Sequence, residues 1–90
     1  MNANLNEYVA RMEEACGEER DIIVHFKYEK KDEAIGRILK KVKIDRAVAG
    51  VIFDLTYKGL PIRLYNTGKV VIKNVKDKNH AWSILAELLL

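Results

Sequence analysis

Arg63, Tyr65, Val71 and Lys73 stand at alternate positions of two short runs that flank Asn66-Thr67-Gly68. In extended backbone, successive side chains point to opposite faces. These four therefore share one face, and Ile62, Leu64, Val70 and Ile72 share the other. Two cations, an aromatic ring and a valine on one face supply phosphate contact and base stacking. Lys69, beside the turn, adds a cation to the same hairpin. Residues 21–29 (D-I-I-V-H-F-K-Y-E) alternate in the same way. Ile22, Val24, Phe26 and Tyr28 form one row, and Ile23, His25 and Lys27 form the other. The candidate nucleic-acid-binding set is therefore Tyr65, Arg63, Lys73, Val71, Lys69, His25 and Lys27. The competing reading is structural. Arg63 and Lys73 would pair across strands with Asp54 or Glu29, and Tyr65 would shield their aliphatic stems.

The remaining polar residues build no recognisable catalytic or metal chemistry. The two histidines, His25 and His80, have no second histidine or carboxylate at a metal-ligand interval. Cys16 is the only cysteine, which excludes an intrachain disulfide and a cysteine-based metal site. It reads as a buried, inert thiol. Ser83 is the only serine and lacks a nucleophile elbow. Gly17, Gly36, Gly50, Gly59 and Gly68 form no phosphate loop. Asp32 and Glu33 read as helix-start residues and Asp45 as a loop residue. No enzyme activity, metal or cofactor is expected.

The elements that must position the candidate residues follow from periodicity. Leu5, Tyr8, Val9, Met12 and Cys16 have helical spacing, with Gly17 as a stop. A strand is predicted over 21–29. A helix follows over 32–43 through Ile35, Ile38, Leu39 and Val42, capped by Asp32. Residues 48–57 read as one strand, with Val51, Phe53 and Leu55 inward. Lys58-Gly59 makes a turn, and Pro61 opens the next strand. Gly68 suits the left-handed position of a three-residue hairpin loop. A last helix spans 79–89, with Ala81, Trp82, Ile84, Leu85, Leu88 and Leu89 as its apolar side and Asn79 or Asp77 as its cap.

This order predicts an α+β fold, with an antiparallel four-stranded sheet and helices on one face. Residues 1–90 are expected to form a single domain, with 1–19 as an extra N-terminal helix. At 90 residues, the chain buries roughly 60–65% of its unfolded surface, which leaves little room for a deep cleft. Hydrophobic content of 49% with 32% charged residues excludes a disordered chain. No apolar run reaches the roughly 20 residues of a membrane span. The first residues lack the pattern of a signal peptide, so a cytoplasmic setting and no membrane partner are expected. Glutamine is absent while Lys, Glu and Ile are plentiful, a bias of heat-loving organisms. The net charge of +3 divides unevenly, −3 over residues 1–20 and +6 over 21–90. The basic part favours a polyanionic partner.

The run Tyr65-Asn66-Thr67-Gly68-Lys69-Val70-Val71-Ile72 resembles part of the TATA-box-binding protein family. There, an aromatic-x-Ser-Gly-Lys turn leads into a valine-rich strand. The likeness extends over about residues 21–90 and is shared by the N-terminal domain of bacterial ribonuclease HIII. It implies one half of a saddle, with element order β-α-β-β-β-β-α and a nucleic-acid-binding sheet face. Tyr65 falls on an intercalating aromatic of the family, Val48 on the other, and Val71 on a groove-contacting valine. Lys73, Arg63 and Asp54 depart from the family pattern, so nucleic-acid binding without strong TATA specificity is the function implied. One repeat is present where the saddle has two, and a homodimer through the first strand (residues 22–28) would supply the second. The alternative function is a protein-interaction or assembly module that uses the same face.

Overall fold

The computed structural model describes residues 5–14 and 21–90. Six strands form one antiparallel sheet in the order β1-β2-β6-β5-β4-β3. They are β1 (Val9–Glu14), β2 (Ile22–Phe26), β3 (Ile44–Val48), β4 (Ile52–Tyr57), β5 (Leu60–Tyr65) and β6 (Lys69–Ile72). Helix α1 (Lys31–Lys41) carries the chain from β2 to the far edge of the sheet, and α2 (Lys78–Leu89) follows β6. From β3 the chain walks back strand by strand until β6 lies beside β2.

The turns explain this walk. Lys58 (φ 51°) and Gly59 (φ 79°) are both left-handed, as a two-residue type I′ hairpin requires. The next hairpin closes through Gly68, whose N–H donates to the Tyr65 carbonyl at 3.0 Å. Gly68 has φ 99°, and a Cβ there would lie 3.1 Å from the Lys31 Cβ. Glycine thus serves both the turn and the close approach of α1. At the helix end, Asp77 caps α2 by accepting the His80 N–H at 2.8 Å.

The core lies between the sheet and the two helices. Ile22, Val24, Leu55, Ile62, Leu64, Val70 and Ile72 point into it from the strands. Ala34, Ile38, Ala81, Ile84, Leu85, Leu88 and Leu89 meet them from the helices. Trp82 is partly buried against this cluster, and Ser83 is exposed, with its hydroxyl donating to the His80 carbonyl. No helix among the described residues is long and apolar enough to cross a membrane.

Several expectations are corrected. The sheet has six strands, not four. The expected N-terminal helix is a 3-10 turn (Leu5–Glu7) followed by β1, which pairs with β2; Cys16 and Gly17 lie outside the described residues. A β-bulge between Val9 and Arg11 inserts an extra residue, so Val9 and Met12 both face the core at a spacing of three. Residues 48–57 are not one strand. Ala49 and Gly50 turn between β3 and β4, and Val51 is exposed. Asp45 belongs to β3, not to a loop. Tyr28 leaves the β2 row for a 3-10 turn, where it is 83% exposed. The N-cap of α1 is Lys30, with Asp32 inside the first turn. A homodimer through residues 22–28 is closed to this fold, because β1 and β6 occupy both edges of β2.

Two glycines should respond to alanine with opposite signs. Gly68→Ala meets both a positive φ and the Lys31 stem, and should lower unfolding free energy by about 1–3 kcal/mol. Gly36→Ala, inside α1 with nothing within 4 Å of the new Cβ, should raise it by about 0.5–1 kcal/mol. Urea denaturation of both variants measures the pair of shifts.

Candidate nucleic-acid interface

With α1 and α2 packed on one side, the other face of the sheet carries no layer among the described residues. The strand register sorts its side chains into three rows. Arg11, His25, Lys69, Tyr65, Ile52 and Val48 form the first. Glu13, Ile23, Val71, Arg63, Asp54 and Arg46 form the second. In the third, Lys73 meets Pro61 through an N–H to carbonyl bond of 2.9 Å, and Thr56 lies opposite Pro61. Tyr65, Val71, Ile23 and Ile52 are half-buried, while Lys73, Arg46 and Val48 are exposed.

Six of the seven candidate residues come together here: Tyr65, Arg63, Lys73, Val71, Lys69 and His25. The Lys69 ammonium sits 5.3 Å from the Tyr65 ring centroid, a cation–π contact that uses one side of the ring. Lys27 stands past the end of β2, where its N–H donates to the Tyr8 carbonyl at 2.7 Å. Its side chain has no hydrogen bond or ion pair among the described residues.

The cations differ in how free they are. Arg63 holds Asp54 with two hydrogen bonds, Nε to Oδ1 at 2.8 Å and Nη2 to Oδ2 at 3.2 Å. This bidentate pair follows the register of the two-residue turn, which sets Asp54 opposite Arg63. The guanidinium holds the Asp54 carboxyl below its ordinary value, with Arg46 and Lys73 adding to the effect. Glu13, on β1, accepts from or pairs with His25 Nε2 at 2.8 Å. That contact is the main reason the Glu13 carboxyl is held below its usual range. Lys69, Lys73 and Arg46 have no ion-pair partner within 4 Å among the described residues. They are the cations best placed for an incoming anion.

Three features escape the sequence reading. Glu13 reaches the face because β1 is a strand. Arg46 joins it from β3. Asp45, at a bulge in β3, accepts the Thr56 hydroxyl at 2.8 Å. The Lys58-Gly59 turn signal places Thr56 and Asp54 on the face, but nothing local marks β3 as a strand. Among the described residues no group of histidines, cysteines and carboxylates is placed to hold a metal ion. Comparison of the chain with protein-family models, curated proteins and solved structures finds no match in any of the three.

The Asp54–Arg63 pair predicts a defined acid response. A carboxyl lowered by folding contributes stability that is complete above its unfolded value of 3.8 and is lost as pH falls through the lower folded value. NMR titration should place the Asp54 carboxyl below 3.8. In Arg63→Ala its midpoint should move up, and the acid limb of the stability curve should become shallower.

Proposed function

We propose that the chain binds nucleic acid through the open face of its sheet, with no strong preference for TATA sequences. The observation that carries this reading is the first row and its neighbours. A half-buried tyrosine and the apolar side chains of Ile23, Val71 and Ile52 are interleaved with the unpaired cations Lys69, Lys73 and Arg46. Apolar surface accepts the faces of bases, and the lysines meet the phosphates. The face also carries more cations than carboxylates: Arg11, Arg46, Arg63, Lys69 and Lys73 against Glu13, Asp45 and Asp54. The element order from β2 to α2, β-α-β-β-β-β-α, agrees with the order that the resemblance to the TATA-box-binding protein family implies, and lends that resemblance support. Lys73 and the Asp54–Arg63 pair make the face more polar than a minor-groove reader requires.

A protein partner is the second reading. It is favoured by β3, where all five residues are exposed and Ile44 and Val48 present apolar surface at a strand edge.

Fluorescence anisotropy with labelled oligonucleotides separates the two. Binding should weaken steeply with salt, and Lys69→Ala and Lys73→Ala should each reduce the magnitude of the log–log salt slope by roughly one. Tyr65→Ala should weaken binding by about 5–150-fold, the equivalent of one lost base stack. No binding at low salt by the intact chain would remove the nucleic-acid reading and leave the protein partner.

A further inference from the structure

The open face is not uniform. At its β3 end lies a depression of about 230 Å³, lined by Asp45, Asp54, Thr56, Pro61, Arg63 and Lys73 among others. The bulge in β3 creates it. One extra residue between Ile44 and Arg46 turns the Asp45 side chain onto the open face, where Thr56 holds it. The volume is below the roughly 300–1,000 Å³ of sites that enclose a whole small molecule. It suits one planar group offered by a longer chain.

Building on the nucleic-acid reading above, we infer that this depression receives a single unpaired base from single-stranded nucleic acid and prefers guanine. Its walls are rich in acceptors. Both Asp54 oxygens are engaged by Arg63. Asp45 accepts one bond, from Thr56 at Oδ2, and its Oδ1 has no hydrogen bond among the described residues. A carboxylate offers about four lone-pair sites, so Asp45 retains capacity for two further donors. Guanine alone among the common bases presents two adjacent donors, N1–H and the N2 amino group, on its Watson–Crick edge. Uracil and thymine flank their single N–H with carbonyl oxygens, which a carboxylate repels. Adenine and cytosine set their amino group beside an acceptor nitrogen. In a duplex the guanine edge is already paired, so only a single strand can offer it.

The surroundings fit the rest of such a nucleotide. Lys73, exposed at the rim and without an ion-pair partner among the described residues, is placed for the phosphate. The Arg63 guanidinium, fixed by its two bonds to Asp54, gives a flat cationic surface on which the base can lie. Arg46, opposite Asp54 in the register, joins Arg63 and Lys73 in outweighing the two carboxylates, so an anionic chain is not repelled. Tyr65 lies two residues along β5 from Arg63, about 6.6 Å away, within reach of a neighbouring base.

The test compares labelled dT12 with dT12 carrying one central guanine, and with the same oligonucleotide carrying inosine there. Inosine keeps N1–H but lacks the amino group. The intact chain should bind the guanine oligonucleotide about tenfold more tightly than dT12, within the range of one bidentate base contact, and inosine should lose most of that gain. Asp45→Asn, which removes a negative charge from the face, should bind dT12 no more weakly than the intact chain and lose the preference for guanine. Equal affinity of the intact chain for all three oligonucleotides overturns this inference and leaves the nucleic-acid reading standing. A guanine preference that survives in Asp45→Asn overturns it as well. Binding to none of the three overturns this inference, and binding to no duplex or RNA oligonucleotide either removes the broader reading together with it. The inosine comparison uses the unaltered chain and does not depend on whether the variant folds.

Discussion

Burial of one side of the β5–β6 hairpin governs the rest of the molecule. Ile62, Leu64, Val70 and Ile72 are almost fully removed from water beneath the two helices. Each such side chain contributes about 1.5–3 kcal/mol by burial. A slip of one residue in β5 would exchange Ile62 and Leu64 for Arg63 and Tyr65, and a slip in β6 would exchange Val70 and Ile72 for Val71 and Lys73, placing polar or charged heads in an apolar core. The register is therefore held by the core, and the composition of the open face follows from it. Gly68 ties this register to the helical layer, because the turn can approach Lys31 closely only without a side chain.

The open face is arranged to remain soluble while uncovered. Asp54 and Arg63 satisfy each other across adjacent strands, as do Glu13 and His25. Pairs this open to solvent, the Asp54–Arg63 pair part-buried and the Glu13–His25 pair exposed, add little to stability, so their main effect is to decide which cations are already engaged. Among the described residues Lys69, Lys73 and Arg46 remain, on β6, just past its end and on β3, separated by apolar side chains. A ligand that draws on those three need break no ion pair among the described residues. One that demands Arg63 as a phosphate clamp must first compete with a bidentate carboxylate. On the nucleic-acid reading proposed above, this ordering assigns phosphate contacts to the lysines and leaves Arg63 as a rigid surface.

Much of this face is legible from two turns. A two-residue loop at Lys58-Gly59 sets Asp54 opposite Arg63 and Ile52 opposite Tyr65, and a three-residue loop ending at Gly68 sets Arg63 opposite Val71. Both loops carry glycine where the backbone needs it, so β4, β5 and β6 can be aligned on paper. The edges of the sheet resist this treatment for one shared reason. Each outer strand contains a bulge, at Val9/Arg11 and at Ile44/Arg46. A bulge replaces the spacing of two by three between Val9 and Met12, and the 3-10 turn before β1 sets Leu5 and Tyr8 three apart, so the four together have the spacing of a helix face. In β3 it combines with full exposure, leaving no apolar alternation, and the turn that follows uses Ala49 in a left-handed conformation that few alanines adopt.

Those same bulges bear on assembly. The edge of β2 that a second copy would need is covered by β1, held in place by its ladder with β2 and by the Tyr8 hydroxyl donating to the Glu33 carboxylate of α1. The outer edge of β3 is open, but symmetric pairing centred on Arg46 would set two guanidinium groups face to face, and the bulge at Asp45 twists the strand away from a flat partner. Both edges are thus unfavourable for joining two sheets into one. The open face is then that of a single sheet, six strands at about 4.8 Å spacing and so about 24 Å across. On the nucleic-acid reading proposed above, that width would take only a few nucleotides, fewer than the two-repeat surface that the family resemblance implies. On the proposed nucleic-acid reading, a face of this size gains more from a specific pocket such as the one at Asp45 than from added phosphate contacts, because few phosphates can lie against it at once.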